Sequence, residues 1–325
     1  MVKKMLILSS GGDAPGMNAA IRAVVRSAIA NGISIFGVQG GYNGLINHHI
    51  HLLDQTSVAN CIQRGGTILK TARCEDFYRP EVRKKSVDFL NDNNFDGLII
   101  LGGNGSFQGA VKLNEEGGPR CIGIPCTIDN DIPGTEYAIG FDTACNTAID
   151  AIDKIRDTAF SLDRNFMIEV MGRSSGFIAV DVGIAGGAEL IIIPEFQPSV
   201  DEIIAKLQQT KRPKLASIVV VAEGGQAGHT MKLAEEIQKR SGIRYTVCIL
   251  GHIQRGGTPT VRDRKIASIM GVKAVEALIA GLNCQMVSLI NEEFTVNPFP
   301  VPGQTTRFFQ DQNLLDLNRI ICDAN

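Results

Sequence analysis

The run Cys121-Ile122-Gly123-Ile124-Pro125-Cys126-Thr127-Ile128-Asp129-Asn130-Asp131-Ile132 starts as an apolar strand and ends abruptly in polar side chains. In an open parallel sheet the ligand crevice lies beyond the C-terminal strand ends, so two aspartates there are placed for chemistry. One carboxylate can serve as a base and the other can hold a cation. The competing reading is an ordinary turn, because Asp and Asn cap helices and Pro133 fixes the exit. The balance rests on how many other strand ends carry phosphate-type chemistry.

Working outward, apolar strand-like runs recur at 5–9, 33–38, 97–101, 121–125, 166–171, 190–193, 218–221 and 245–250. Residues 17–30, 79–91, 143–160, 200–209, 231–241 and 263–280 show apolar side chains at three-to-four spacing with charges between, the helical pattern. Strands alternating with helices predict mainly parallel sheets in a doubly wound, Rossmann-like α/β architecture.

Eight Gly-Gly pairs, beginning at 11, 40, 65, 102, 117, 186, 224 and 256, follow no fixed period, so this is not a repeat protein. Glycine at a strand-to-helix junction lets backbone N–H groups approach a ligand and aims a helix N-terminus at its negative charge. Ser9-Ser10-Gly11-Gly12-Asp13 is such a junction, although neither a Walker loop nor a dinucleotide fingerprint. Gln63-Arg64-Gly65-Gly66-Thr67, leading to Arg73, adds two cations, and Leu101-Gly102-Gly103-Asn104-Gly105-Ser106 opens another helix. Further along, Arg173, Glu223 and His252-Ile253-Gln254-Arg255 follow three more strands. Arginine forks and a histidine at strand ends suit phosphate recognition through directed, charge-assisted hydrogen bonds.

Composition narrows the classes. At 325 residues the chain can hold two domains, and 44% hydrophobic with 20% charged residues is ordinary for a soluble globular protein. A net charge of -2 argues against nucleic acid or an anionic membrane as the main partner. Lys3-Lys4 and the short apolar run after them are cut off by Gly11-Gly12-Asp13, unlike a signal peptide, and no run approaches a membrane span. The eight cysteines form no C-x-x-C pair and read as reduced thiols of a cytoplasmic protein. His48, His49 and His51 lack an accompanying Cys or carboxylate cluster and read as a solvated loop.

A chemically different reading is open, since Gly172-Arg173-Ser174-Ser175-Gly176 is a literal G-x-S-x-G between strand and helix. With Glu223 and His252 downstream, the order Ser, acid, His fits an α/β-hydrolase with Ser174 as nucleophile. That reading leaves Asp129, Asp131, Arg73 and the N-terminal junction without a role.

Taken together, segments 11–18, 63–73, 102–106, 127–132, 169–173, 184–189 and 251–257 resemble the bacterial-type ATP-dependent 6-phosphofructokinases, in the family's order and over most of the chain. The resemblance implies two α/β domains with a cleft between them. The larger, ATP-binding domain would comprise residues 1–140 completed by 254–302. The smaller, sugar-phosphate-binding domain would comprise 141–253 completed by 303–325. It implies a cytoplasmic glycolytic kinase, a homotetramer, that phosphorylates fructose 6-phosphate with MgATP. Asp129 would be the general base, with Thr127 and Arg173 stabilising the transferring phosphoryl group. Gly12, Arg73, Cys74, Gly103, Asn104, Gly105 and Ser106 would seat ATP, with Asn104 and Asp131 at Mg²⁺. Met171, Gly172, Arg173, Glu223, Thr246, His252 and Arg255 would seat the sugar phosphate, with Arg164 reaching in from a neighbouring subunit. Arg22, Arg26, Arg156, Glu189, Arg212 and Lys214 match the family's site for ADP or phosphoenolpyruvate.

The chain departs from the family pattern in several places. Asn104 stands where a Mg²⁺-binding Asp is usual, and an amide brings no charge to a hard cation, which implies weaker Mg²⁺ dependence or lower turnover than an Asn104→Asp variant. Cys74 replaces the usual Phe beside Arg73, and Thr246 replaces an intersubunit Arg, with Arg244 two residues earlier on the same strand face. Gln55, Ala59, Asn60 and Ala216 fall where effector contacts are usual, which implies a blunted effector response. Pyrophosphate-using relatives carry Asp at position 105 and Lys at 126; Gly105 leaves room for a nucleotide α-phosphate, while Cys126 matches neither type. Asn104, Cys126 and Thr246 together keep a weakly active regulatory paralogue as the rival reading.

Overall fold

The computed structural model describes residues 2–209, 216–225, 228–301 and 306–323. In chain order the elements are β1 (Lys4–Ser9), α1 (Met17–Ala30), β2 (Ser34–Val38), α2 (Gly41–Ile46), β3 (Ile50–Leu52), α3 (Pro80–Asp92), β4 (Gly97–Gly102), α4 (Asn104–Glu115), β5 (Arg120–Pro125) and α5 (Phe141–Leu162). There follow β6 (Asn165–Val170), α6 (Phe177–Ala185), β7 (Leu190–Ile192), α7 (Val200–Gln209), β8 (Ile218–Ala222), α8 (His229–Ser241), β9 (Tyr245–Ile249), α9 (Val261–Ile279), β10 (Gln285–Ile290), β11 (Glu293–Pro298) and α10 (Gln312–Asp323). Single 3-10 turns occupy Glu75–Tyr78 and Gly251–Arg255.

The chain divides into two compact units, one of Met1–Ile128, Ile132–Thr143 and Arg255–Thr306, the other of Asp129–Asp131, Ala144–Gln254 and Arg307–Asn325. In the first, the described residues form a seven-stranded sheet in the order β11-β10-β5-β4-β1-β2-β3. The strands from β10 to β2 are parallel, and the antiparallel β11 and β3 close the two edges. Every residue of β4 is buried, which is why Gly97–Gly102 reads as a continuous apolar run rather than an alternating one. Phe107 and Phe299 stack 4.9 Å apart beside Gly123, where a Cβ would fall 2.5 Å from the Phe107 ring. On the other face α1 and α9 pack closely because Gly271 brings its backbone to Ala20 and Ala23.

The second unit holds a four-stranded sheet, order β7-β8-β6-β9, all parallel. Met167, Val219, Val221, Ile203, Leu233 and Ile237 form a core between the sheet and the helices α7 and α8.

Periodicity locates α1, α3, α5, α7, α8 and α9, and it misses α2, α6, α10, β3 and the β10–β11 hairpin. The histidine stretch is also not simply a loop. His51 lies in edge strand β3 opposite Gly37, and His48 stacks on Phe89 with ring centres 3.9 Å apart. All eight cysteines are free thiols.

Asp263, wholly buried in the first turn of α9, organises the segment that enters α5. It accepts hydrogen bonds from the Gly140 N–H (2.8 Å), the Thr143 N–H (2.9 Å), the Thr143 hydroxyl and the Tyr137 hydroxyl (3.2 Å). Burial pushes its pKa up, and the Thr143 and Gly140 donors offset only part of that rise. With the folded pKa above the unfolded one, the group's contribution to stability falls as pH rises from the ordinary carboxylate value through the raised one. Truncation to Ala strands two buried N–H groups at about 1–3 kcal/mol each, so Asp263→Ala should lose at least ~2 kcal/mol in urea unfolding at neutral pH.

Candidate active site

The parallel strands of the first sheet deliver their C-terminal ends to one edge. Chain order reverses direction between β1 and β4, the position where open α/β sheets form a ligand crevice. The β1 exit runs Ser10-Gly11-Gly12, and the β4 exit runs into α4 through Gly103. The two are joined by the Ser106 hydroxyl, which donates to the Ser10 carbonyl (3.1 Å). A Cβ at Gly102 would lie 2.5 Å from the Ser106 hydroxyl oxygen and 2.6 Å from the Ser10 carbonyl oxygen, so only glycine permits this approach. At Gly103 and Gly105, by contrast, a Cβ would meet nothing within 4 Å. Helix α4 starts at Asn104 without a side-chain cap, leaving its positive end accessible to an anion over these open glycines.

The loop bearing Arg73 is fixed to the same region. Buried Asn18 donates to the Arg64 (3.0 Å) and Gly65 (3.2 Å) carbonyls and accepts from the Ile68 N–H (2.7 Å). The Thr71 hydroxyl donates to the Gly11 carbonyl (2.9 Å), leaving Arg73 exposed and Cys74 half-buried next to it. Arg255 also lies in this unit. It donates to the Asp13 carbonyl (3.2 Å), and a Cβ on Gly12 would fall 2.5 Å from its guanidinium. Thr127, half-buried, follows β5 at the same edge.

In the second unit the central strand β6 exits into Met171-Gly172-Arg173, β8 into Glu223, and β9 into the turn with His252. Because these strands are parallel, all three exits share one edge. Gly172 (φ 136°) and Arg173 (φ 54°) are both left-handed, and the Glu223 carboxylate accepts the Arg173 N–H (2.8 Å), holding this strained turn. Gln254, wholly buried, accepts the Met171 N–H (3.0 Å). The Arg173 side chain and His252 are exposed.

Asp129 is 3% exposed. The Ser175 hydroxyl lies 3.0 Å from both the Asp129 and Gly172 carbonyl oxygens, joining the carboxylate-bearing turn to the arginine-bearing one. Sequence reasoning passed over this serine in favour of its exposed neighbour Ser174. Among the described residues no hydrogen bond links Ser174 to His252 or His252 to Glu223, so the hydrolase order does not assemble into a triad.

Burial pushes the Asp131 pKa up, and a backbone hydrogen bond, followed by the positive charges of Arg173 and Arg307, pulls it back part of the way. Among the described residues no group of three His, Cys, Asp or Glu side chains can hold a metal. Asn104, in the first unit, and Asp131, in the second, each carry an oxygen donor of the kind Mg²⁺ takes, and neither belongs to a protein cage among the described residues.

The remaining expected residues are placed as follows. Arg164 is exposed just before β6. Thr246 and Arg244 are exposed on either side of buried Tyr245, consistent with one strand face. Arg22 and Arg26 are on α1 of the first unit. In the second, the Arg156 guanidinium donates to the Gly186 (2.5 Å) and Gly187 (2.9 Å) carbonyls, and Glu189 accepts the Ile218 N–H (2.7 Å). Arg212 and Lys214 lie outside the described residues.

Parallel sheets whose exits carry open glycines, a helix N-terminus, arginines and a buried aspartate define an α/β protein built for anionic, phosphate-bearing ligands. Known proteins narrow this. A family model described as Phosphofructokinase matches residues 4–278. The ATP-dependent 6-phosphofructokinase of Coxiella burnetii is 58% identical over 321 residues, 99% of this chain and 98% of that protein. The enzyme of the same name from Bacillus cereus is 52% identical over 289 residues, 89% of this chain and 90% of that one. Among solved structures, Pichia pastoris phosphofructokinase in the T-state superposes with a TM-score of 0.84 at 32% identity; the match covers 92% of this chain and 35% of the longer yeast chain. The chain belongs to the phosphofructokinase family.

Replacing Arg173 by Leu removes a charge that lowers the Asp131 pKa. The carboxyl carbon of Asp131 should therefore titrate at higher pH in Arg173→Leu than in the parent protein, as read by carbon-13 NMR.

Proposed function

We propose that the chain transfers the γ-phosphoryl group of ATP to the 1-hydroxyl of fructose 6-phosphate, giving fructose 1,6-bisphosphate and ADP. The observation that carries this reading is the buried Asp129, tied through Ser175 to the turn that presents Arg173. A buried carboxylate on one turn can take a proton from an alcohol while the guanidinium on the turn joined to it meets the developing negative charge. Phosphoryl transfer asks little covalent chemistry of a protein, so positioning and charge stabilisation supply most of the rate.

The first unit seats ATP. Gly12, Arg73, Cys74 and residues 103–106 surround the phosphates and nucleoside, with the α4 N-terminus toward the phosphates. Asn104 and Asp131 would each offer Mg²⁺ an oxygen, and the cation would supply positive charge to the phosphates. In the second unit Met171, Gly172, Glu223, Thr246 and His252 hold the sugar phosphate, and Arg164 serves a neighbouring subunit of a homotetramer. Arg255, on the first unit, belongs with the sugar-phosphate set. Asp129 abstracts the 1-hydroxyl proton as that oxygen attacks phosphorus, while Thr127 and Arg173 stabilise the phosphoryl group. Arg22, Arg26, Arg156 and Glu189 form the effector set for ADP or phosphoenolpyruvate. Gly105, with open space above it, favours ATP over pyrophosphate because a nucleotide α-phosphate can pass.

A coupled assay for fructose 1,6-bisphosphate tests the reading. Product should form with ATP and not with pyrophosphate. Asp129→Ser should lower kcat by about 10²–10⁴-fold, the usual range for a general base, with ATP affinity unchanged. Product from pyrophosphate alone, or full activity in Asp129→Ser, would overturn it.

A further inference from the structure

We propose that Glu195 is a positioning residue. In this role its carboxylate latches residues 307–309 to the start of α6 and, through both, immobilises the turn of residues 129–131. What the turn does rests on the phosphotransferase reading above; the latch itself is geometric.

The two ends of that turn are held by different parts of the chain. The Asp129 carbonyl is held by the Ser175 hydroxyl (3.0 Å), and the Asp131 carbonyl accepts the Arg307 N–H (2.6 Å). Glu195, in the segment after β7, connects the two holders. One carboxylate oxygen accepts the N–H of Gly176, next to Ser175, and also the N–H of Phe309, two residues beyond Arg307, each at 2.9 Å. Gly176 brings its backbone so near that a Cβ would fall 2.9 Å from the second Glu195 oxygen and 2.6 Å from the Ile193 Cβ. Ring contacts reinforce the join, with the Arg307 guanidinium 4.3 Å above the Phe177 ring in a cation–π contact and Phe309 meeting Phe177 edge-on at 5.8 Å. Phe309 is 6% exposed, so the 307–309 segment is packed onto the unit and not draped over it. A carboxylate taking two main-chain N–H groups makes charge-assisted bonds, roughly twice as strong as neutral ones. Among the described residues the hydrogen-bond partners of Glu195, Gly176 and Phe309, are not assigned to ATP or the sugar, so it acts on the reaction through the turn.

The test uses the full chain and two readouts, hydrogen–deuterium exchange of the free protein and steady-state kinetics, both well below the unfolding temperature. In Glu195→Ala, exchange in peptides covering 129–132 and 307–309 should rise while β8 and β9 stay protected. Its kcat should fall at least tenfold, since two charge-assisted hydrogen bonds are lost and each is worth a factor of about ten or more, with KM for ATP unchanged. Glu195→Gln keeps an acceptor oxygen and should recover most of both. Arg307→Pro, which lacks the N–H, should reproduce the Glu195→Ala pattern more fully than Arg307→Ala, which keeps it. Unchanged exchange at 129–132 in Glu195→Ala overturns the latch, as does a uniform rise across the second unit with kcat preserved. Parent protein without phosphofructokinase activity sinks the functional reading alone, and the exchange data still decide the latch.

Discussion

Main-chain hydrogen bonding along residues 126–131 is the constraint on which the chemistry depends. Where β5 ends, the Cys126 N–H bonds the Gly102 carbonyl (3.0 Å) and the ladder stops. Beyond it a chain carrying two carboxylates would ordinarily be mobile. Here the Asp129 carbonyl is met by a buried hydroxyl and the Asp131 carbonyl by a main-chain N–H from far along the sequence. Asn130 between them takes the left-handed conformation (φ 51°), which Asn tolerates better than most residues. Under the proposed role of Asp129 as general base, whose approach to the proton must be pre-set, these bonds would serve catalysis as well as folding.

Two buried aspartates show how the same desolvation is managed for different ends. Burial raises the pKa of both Asp263 and Asp131. Around Asp263 the relief comes from N–H and hydroxyl donors with fixed geometry, which suits a joint that organises the entry to α5. Around Asp131 it comes first from a backbone hydrogen bond and then from the charges of Arg173 and Arg307, which act over distance. The chain's overall charge of -2 says nothing of this, because the arginines matter only at particular strand exits.

What the sequence disclosed, and what it hid, follows from the same physics. Helices such as α1 and α7 are amphipathic, with one face against a sheet, so their period is readable. Helix α6, Phe-Ile-Ala-Val-Asp-Val-Gly-Ile-Ala, is apolar nearly all round because it is largely buried, and it has no period to detect. The β10–β11 hairpin escapes because its two-residue turn is Asn291-Glu292, both left-handed (φ 50° and 61°), in place of the Asn-Gly that usually signals such a turn. Strand exits were legible because glycine, arginine and aspartate interrupt apolar runs there. Glu195 and Ser175 were not, since their importance lies in partners more than a hundred residues away in one case and some forty-five in the other. Nothing local marks such a residue.

The discontinuity of the first unit has a consequence for how the chain is made. Strand β5 lacks its β10 neighbour, and α1 lacks α9, until residues 261–290 have been synthesised. The sheet of the second unit, by contrast, is complete once β9 ends at Ile249. On the ribosome the later-coded sheet can therefore close while the earlier-coded one still exposes an unpaired strand edge. Chaperone demand should centre on the N-terminal half of the nascent chain, although it emerges first.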